Sequence, residues 1–231
     1  ATRDPATFTG RILTADDIRR SGATSIPEAL RLVPGLNVAR INESSWAVSS
    51  RGFSSLFASK MLVLVDGRSV YNPLSAGVSW DEVDLPLEDL DRIEVVRGPG
   101  AAIWGENAVN GVVNILTKSA GATQGVLLSG GGGNKETLFG TSRYGGAIGD
   151  DTFYRAYAKY NNRDNFERAS GGEANDSWED MRSGVRLDST INQSDRITVQ
   201  SDAYYGEQGT TLTIPTLDSP YSEDEAAQRF S

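Results

Sequence analysis

The sequence predicts a compact α+β domain followed by a run of long antiparallel β-strands. Two observations lead to this fold class. Residues 1–120 mix helix-capping signals with short aliphatic runs, whereas residues 121–231 alternate apolar and polar side chains. The charge changes at the same place: residues 1–120 carry 12 basic and 14 acidic side chains, and residues 121–231 carry 10 and 17. We therefore expect two domains, 1–120 and 121–231.

The composition excludes several classes of function. The 231 residues include no Cys and no His, which removes thiol and imidazole nucleophiles, disulfides and zinc sites built on Cys or His. A formal net charge of −9 argues against nucleic acid as a partner, because phosphate backbones attract basic surfaces. The longest aliphatic run, 61–65, is far shorter than the roughly twenty residues of a membrane-spanning helix.

The first domain opens with two predicted short helices. Thr14 is a good N-cap for the first, which ends before Gly22. Ser25 and Glu28 have capping-box spacing, and apolar positions follow at helical intervals until Pro34. Aliphatic runs without alternation then predict buried strands at 61–65, 93–96 and 112–117.

Five strands are predicted in the second domain, at 125–130, 137–148, 152–161, 181–189 and 196–205. Period-two alternation gives each strand one apolar face and one polar face. In the third strand the apolar face carries Tyr154, Ala156, Ala158 and Tyr160. The opposite face of the same strand carries Arg155, Tyr157 and Lys159.

The connections between these strands alternate in length. The turns at 149–151 and 192–195 are short, whereas 163–177 is a long polar connection. Short turns on one rim and long loops on the other are typical of a bacterial outer-membrane β-barrel. A soluble β-sandwich also alternates along its strands and stays open as an alternative, although strands near ten residues long favour the barrel.

Four motifs of the first domain stand in a fixed order. They are SIPEALRLVPGLNV (25–38), Arg51-Gly52-Phe53, VLVDGRSVY (63–71) and RIEVVRGPGAAIWGENAVNGVVNILTK (92–118). In this order and spacing the sequence resembles the plug domain of TonB-dependent outer-membrane receptors. The resemblance implies a plug inside a 22-stranded barrel, of which residues 121–231 supply about the first five strands. An open sheet of five strands leaves its edges unpaired in a bilayer, so we expect the N-terminal portion of a longer receptor.

The resemblance also implies a function, which is energy-coupled uptake of a scarce ligand across the cell outer membrane. The ligand of such receptors is most often a ferric siderophore, with cobalamin or an oligosaccharide as alternatives. The expected partners are TonB on the periplasmic side, a small-molecule iron chelate and outer-membrane lipid, but no nucleic acid. Since no bond is made or broken, we expect no catalytic residue, no cofactor and no metal site. A soluble periplasmic binding or adaptor module and a carboxylate-based glycosidase are the alternative classes.

Two plug loops, 42–46 and 71–80, are long and aromatic enough to contact a ligand by stacking and hydrogen bonding. The expected ligand contacts are Asn42, Ser45, Trp46, Tyr71, Asn72 and Trp80. For the two tryptophans, simple packing is the alternative interpretation. The acidic run 82–91 alternates with leucines and is interpreted as the solvated face of a short helical turn rather than as a metal site.

Three charged residues of the plug have an implied structural role. The resemblance implies that Arg51, Glu94 and Arg97 join a charge cluster that locks the plug to the barrel wall, and solvated charges on a sheet face are the alternative. Because such a plug enters from the periplasm, the first strand is expected to run outward. This orientation places 149–151 and 192–195 in the periplasm and 163–177 outside the cell.

Overall fold

The computed structural model describes residues 10–50, 52, 60–72, 77–98, 104, 108–168, 171–192, 194–215 and 223–230. The chain divides into two compact units, the first formed by Ala1–Ile41 and Ser45–Lys118 and the second by Asn42–Ser44 and Ser119–Ser231. None of the helices in the described ranges combines the length and the apolar character needed to cross a membrane. Whether residues 1–120 fold independently stays a prediction.

The described part of the first unit contains two helices and seven strands. The helices are α1 (Ala15–Ser21) and α2 (Ile26–Leu30). The strands are β1 (Arg11–Thr14), β2 (Leu36–Arg40), β3 (Trp46–Ser50), β4 (Met61–Val65), β5 (Arg68–Ser69), β6 (Leu90–Arg97) and β7 (Gly111–Thr117). Five of them form a sheet in the order β1-β6-β7-β4-β5, in which only β4 and β7 run parallel, and β2 pairs with β3 in a separate hairpin.

Helix α1 forms where it is predicted because both of its ends are capped. The hydroxyl of Thr14 accepts a hydrogen bond from Asp17 N at 3.2 Å, and the Asp17 carboxylate accepts one from Thr14 N at 2.9 Å. Gly22 follows the helix at φ +71°, in the left-handed conformation that suits glycine.

The capping box predicted for α2 is wrong. Ser25 precedes the helix with extended backbone but makes no side-chain capping bond. The carboxylate of Glu28 accepts instead from the N–H and the hydroxyl of Thr24, at 3.0 and 3.1 Å. Thr24 offers this carboxylate two donors at once, so it takes the place that the spacing assigned to Ser25.

The core of the first unit joins the helices to one face of the five-stranded sheet. Side chains from α1, α2, β1, β4, β6 and β7 are fully buried there, and each contributes about 1.5–3 kcal/mol to folding. They include Leu13, Ile18, Ile26, Leu30, Val63, Ile93, Val95 and Ile115.

The acidic run 82–91 was predicted to be solvated, and this is wrong for two of its members. Asp84 and Asp89 are 3% and 2% exposed. A 3₁₀ helix, Leu87–Asp89, packs against α1, and Asp89 O accepts a hydrogen bond from Lys118 N at 2.8 Å. Asp89 is buried because it leads directly into β6 and is held against the end of β7.

The described part of the second unit forms a single antiparallel sheet of six strands in sequential order. Its strands are β8 (Gly125–Gly131), β9 (Glu136–Ile148), β10 (Thr152–Arg163), β11 (Trp178–Thr190), β12 (Arg196–Pro215) and β13 (Glu223–Phe230). All five predicted strands are present, and β13 is a sixth. A sandwich needs two sheets packed face to face, so this single sheet does not fit that alternative.

In three cross-strand pairs of this sheet an aromatic ring covers the glycine opposite it. They are Phe139 with Gly131, Tyr154 with Gly146, and Tyr157 with Gly184. A Cβ atom added to Gly146 would lie 2.6 Å from Tyr154 Cζ, and one added to Gly131 would lie 2.7 Å from Phe139 Cζ. The rings cover the glycines closely enough that no larger residue fits without displacing them.

Candidate functional site

The two faces of the second unit's sheet have an inverted pattern of burial. Residues paired directly across strands share a face, which assigns Arg155, Tyr157, Lys159 and Arg182 to one side and Val185 to the other. The four polar-face side chains are between 3% and 8% exposed, whereas Val185 is 55% exposed. Soluble proteins bury the apolar side of a half-buried sheet, so the exposed apolar face marks a surface that contacts something other than water.

The apolar face is bounded by tyrosines at both ends. Tyr144 and Tyr154 lie together at one end with ring centroids 6.1 Å apart. At the other end the Tyr160 hydroxyl donates a hydrogen bond to Glu179 Oε1 at 3.0 Å. The Tyr205 hydroxyl donates one to Glu207 Oε1, also at 3.0 Å. Between Tyr154 and Tyr160 the strand rises about 20 Å, close to the apolar band of an outer-membrane barrel, which is about 25 Å tall.

The polar face holds its charges in specific pairs. Tyr157 donates to Asp202 at 2.6 Å and Asn161 donates to Asp180 at 2.8 Å. A carboxylate as buried as Asp180 would be costly without a partner, and its hydrogen bond reduces that cost. Along β10 and β11 the polar face is therefore an interior surface, whereas along 196–205 of β12 the same face is exposed.

Polar and aromatic groups gather where β10, β11 and β12 reach the long-loop rim. Arg163 Nη2 lies 2.8 Å from Glu136 Oε1, and the Arg163 guanidinium lies 5.2 Å from the centre of the Trp178 ring. Gln208, paired with Trp178 in the register, accepts a hydrogen bond from Ser44 Oγ at 2.7 Å. We call Arg163, Trp178 and Gln208 the rim cluster.

Asn42 and Ser44 are members of this second unit. The Asn42 side-chain oxygen accepts a hydrogen bond from Ser44 N at 3.1 Å, which closes a tight turn. Asn42 is one of the predicted ligand contacts. It lies two residues before Ser44, whose hydroxyl donates a hydrogen bond to Gln208 of the rim cluster. Ser45, next in sequence, accepts from Ile41 N at 2.9 Å through its carbonyl oxygen.

The connection of residues 164–177 is folded in its described part. Phe166 N donates to Asp176 Oδ1 and Ser177 N donates to Asn165 Oδ1, both at 2.8 Å. Thr211 Oγ1 on β12 donates to Ala174 O at 2.9 Å. These bonds hold the connection along β12 beyond the rim cluster, and its position outside the cell stays a prediction.

The other four predicted ligand contacts lie, like Ser45, in the first unit. Trp46 and Trp80 are 4% and 6% exposed and belong to the same core cluster. Arg31 and Arg40 lie over the Trp46 ring, with guanidinium carbons 5.1 and 5.4 Å from the ring centre. The other two, Tyr71 and Asn72, are half-buried. The ligand-binding role of all four stays a prediction.

Glu94 and Arg97, two residues of the predicted charge lock, both make hydrogen bonds within the first unit. Glu94 is 8% exposed and accepts from Arg92 Nε at 2.8 Å and Asn114 Nδ2 at 3.0 Å. Burial lowers the pKa of Arg92, but the hydrogen bonds to Glu94 and Asp91 outweigh it and raise that pKa. Arg97 Nη1 donates to a backbone carbonyl of the same unit.

The third lock residue, Arg51, lies outside the described residues. Sequence reasoning missed Trp178 and Gln208, whose even-numbered positions on β11 and β12 place them on the same face as Arg182 in the register. Among the described residues no group of three or more His, Asp or Glu side chains could hold a metal ion.

The sequence model of the TonB-dependent receptor plug domain matches residues 5–112. The chain is 34% identical over 137 residues to the vitamin B12 transporter BtuB of Vibrio vulnificus, covering 57% of this chain and 22% of that protein. It is 29% identical over 238 residues to the ferric enterobactin receptor of Pseudomonas aeruginosa, covering 89% of this chain and 32% of that protein.

The fold has counterparts among solved structures. The ferric-catecholate import receptor Fiu of E. coli K12 superposes with a TM-score of 0.68 at 21% identity, over 93% of this chain and 29% of that receptor. This likeness shows the fold alone: a plug domain followed by antiparallel strands like those of a receptor barrel. The chain spans about a fifth to a third of the length of the relatives it matches.

Proposed function

This chain belongs to the TonB-dependent receptor family, and from that premise we propose that it supplies the plug and the first barrel strands of a receptor for a ferric siderophore. The family consists of receptors and transporters of the outer membrane rather than enzymes, and the chain is an outer-membrane protein. We propose that TonB, acting from the periplasm, supplies the energy for uptake. The whole receptor would move its ligand without making or breaking a bond.

The inverted sheet of the second unit is the observation that carries this proposal. An apolar face that is exposed on several strands, including Val126, Met181 and Val199 at 71%, 59% and 57%, is unfavourable in water and suits lipid. The buried polar face opposite suits the interior of a wide barrel, where polar groups line the lumen. A soluble binding module would need the opposite pattern.

The choice of an iron chelate rests on how much of the chain each relative matches. The ferric enterobactin receptor aligns with 89% of this chain, which includes strands of the second unit as well as the plug. The B12 transporter aligns with 57%, although at the higher identity of 34%. Barrel strands carry the loops that meet the ligand, so the longer match favours a siderophore, and cobalamin is the second candidate.

We propose that the ligand meets the rim cluster at Gln208 together with Asn42 of the same unit, and Ser45 remains a separate proposed contact of the first unit. Arg163 and Trp178 are 3% and 6% exposed and stack on each other, so they would position Gln208, the partner of Trp178 in the register, rather than touch the ligand themselves. Trp46, Tyr71, Asn72 and Trp80 remain proposed contacts from the plug loops.

We also propose that Arg51, Glu94 and Arg97 form the charge lock that keeps the plug seated. Glu94 is almost fully buried, and a carboxylate in that position needs cationic partners. Arg92 supplies one such partner within the first unit.

The experiment is uptake by the full-length receptor in a Gram-negative host that lacks its own siderophore and cobalamin receptors. We expect iron-labelled enterobactin to accumulate only when the host has TonB. Accumulation of labelled cobalamin instead would favour the second candidate. Uptake of neither ligand, or uptake that does not depend on TonB, would overturn the proposal.

A matched pair of variants tests the ligand contact. Asn42→Asp keeps the oxygen that closes the turn with Ser44 but removes the amide N–H donors and adds a negative charge. We expect it to weaken binding of the ferric chelate by about tenfold, the loss of one hydrogen bond to a charged group. Asn37→Asp, on the exposed side of β2, is the control and should bind like the wild type.

A further inference from the structure

The segment that enters the second unit's sheet, residues 119–124, is folded rather than extended. Ala120–Thr123 form a 3₁₀ helix, and Ala120 and Thr123 are 0% and 2% exposed. The first unit ends at Lys118, so this segment begins where the two units are joined by the chain. We call residues 119–124 the tether.

The carboxylate of Asp188 on β11 holds the tether to the sheet of the second unit. Asp188 Oδ2 accepts hydrogen bonds from Ala120 N at 2.7 Å and Arg186 Nε at 2.9 Å. Its other oxygen accepts from Thr198 Oγ1 on β12 at 2.7 Å. Hydrogen bonds to an ionised group are about twice as strong as neutral ones. Through two of them Asp188 links the tether, β11 and β12, and the third, from Arg186, orients the carboxylate within β11.

The tether lies directly on the sheet, and Gly145 on β9 is the glycine that makes this close approach possible. A Cβ added to Gly121 would be 3.5 Å from the ring of Phe153 on β10, so the ring rests on the backbone of the tether. A Cβ added to Gly145 on β9 would overlap Thr123 O, so β9 also meets the tether at backbone level. The tether therefore contacts β9, β10 and β11 at once.

The tether is also closed by its own side chains. Ser119 Oγ accepts from Ala122 N at 3.3 Å, and Thr123 Oγ1 donates to Ala120 O at 3.1 Å. Gln124 Nε2 donates to the same carbonyl at 2.7 Å. These bonds satisfy the backbone groups of the short helix and make the segment a compact unit.

We propose that the tether is a mechanical stop: when the first unit is pulled from its N-terminus, the chain is released as far as Lys118 and no further. This inference rests on the proposed function, in which TonB pulls on the plug. The strand nearest the pull, β1, lies at a sheet edge and pairs with β6 over four residues only, so it can be peeled away first. The tether instead is buried, charge-anchored and supported by three strands, so β8 stays paired with β9 and the barrel wall stays closed.

The test is single-molecule pulling on the N-terminus of the full-length receptor in a supported lipid bilayer. For the wild type we expect release to end at Lys118. In Asp188→Ala the anchor is lost, and we expect the final release to extend by the six tether residues, about 20 Å of contour length, at a lower force. Asp150→Ala, an exposed acid in the short turn after β9, is the control and should behave like the wild type.

A second variant keeps the proposal testable if Asp188→Ala assembles poorly. Gly145→Ala leaves Asp188 in place, but its Cβ would overlap Thr123 O and push the tether off β9, so it should give the same longer release. The proposal is overturned if both variants stop at Lys118 with wild-type force, or if the wild type itself releases beyond residue 124. Failure of the proposed function would be seen separately, as absence of TonB-dependent uptake by the wild-type receptor.

Discussion

One N–H of the Arg97 guanidinium donates a hydrogen bond to the carbonyl oxygen of Pro34 at 2.7 Å, joining residues 63 positions apart. The bond fastens the turn after α2 to the end of β6. It uses one of the five N–H donors of the side chain, so a carboxylate partner for Arg97 is compatible with it. Arg97 can thus hold the plug together and still serve in the proposed lock.

Replacement of Arg97 tests the lock. In the full-length receptor, Arg97→Ala would leave a buried carboxylate without its cation, a loss of about 3–5 kcal/mol that should loosen the plug. We expect faster entry of a small antibiotic into whole cells, with a smaller increase for Arg97→Lys, which keeps the charge. Wild-type impermeability in both variants would contradict the lock and leave Arg97 only its bond to Pro34.

We expect residues 1–120 to fold when expressed alone. The first unit has its own core, including Ile18, Leu30 and Ile93, built from side chains of that unit. A solution NMR spectrum should show dispersed amide signals. A collapsed spectrum with poor dispersion would mean that the plug requires the rest of the receptor.

Two glycines in the left-handed conformation allow a matched comparison in this fragment. Gly35 has φ +83°, and a Cβ there would lie 2.6 Å from Arg97 Nη1, whereas Gly22 has φ +71° and open space. Gly22→Ala should cost about 1 kcal/mol of backbone strain. Gly35→Ala should cost more in thermal unfolding, and adding Arg97→Ala should remove the excess. Equal costs for the two single variants would contradict this.

The hydrogen bond from Thr14 N to Asp17 at the N-cap of α1 should weaken at low pH. The backbone and side-chain hydrogen bonds from Thr14 hold the pKa of Asp17 below its ordinary value of 3.8. A lowered pKa means that Asp17 stabilises the fold above its unfolded-state pKa, and that this contribution is lost as the pH falls through the folded-state pKa. Exchange of the Thr14 amide should accelerate over that range, and Asp17→Asn should remove this pH dependence. An unchanged profile in Asp17→Asn would assign the effect to other groups.

A charge on the apolar face of β10 should impair folding into a bilayer. Ala156 lies between the two tyrosine ends, and Ala156→Lys should cost about 2–4 kcal/mol near the membrane midplane. Ala156→Leu is the control and should be tolerated. Urea unfolding of the full-length receptor in lipid vesicles measures both, and a lysine variant as stable as the leucine variant would contradict a lipid-facing position.

Local signals predicted much of the fold because the controlling interactions are short in range. The cap of α1 depends on Thr14 and Asp17, three residues apart, and alternation along β10 assigned Arg155 and Ala156 to opposite faces. The end of β12 could not be predicted, since alternation fades after Tyr205, and the strand continues because 208–215 pair with β13.

The functional residues depend on contacts that no local pattern encodes. Ala120 and Asp188 are 68 positions apart, and neither lies in a motif that signals their hydrogen bond. For Trp46 and Trp80 the sequence left packing and ligand binding both open, and burial in a shared core is a property of the assembled domain. Arg163 and Trp178 come together only through the register of β10 with β11.

The rings that cover glycines across neighbouring strands have a consequence for assembly of the wall. A slip of two residues keeps every side chain on its own face, so burial alone detects it poorly. It would, however, move Tyr157 from Gly184 onto Arg182 or Arg186, and Tyr154 from Gly146 onto a bulky neighbour. Each ring-and-glycine pair thus fits only one register of its two strands. Because the three pairs lie on consecutive strand pairs, we expect them to disfavour a misaligned register as each new strand is added.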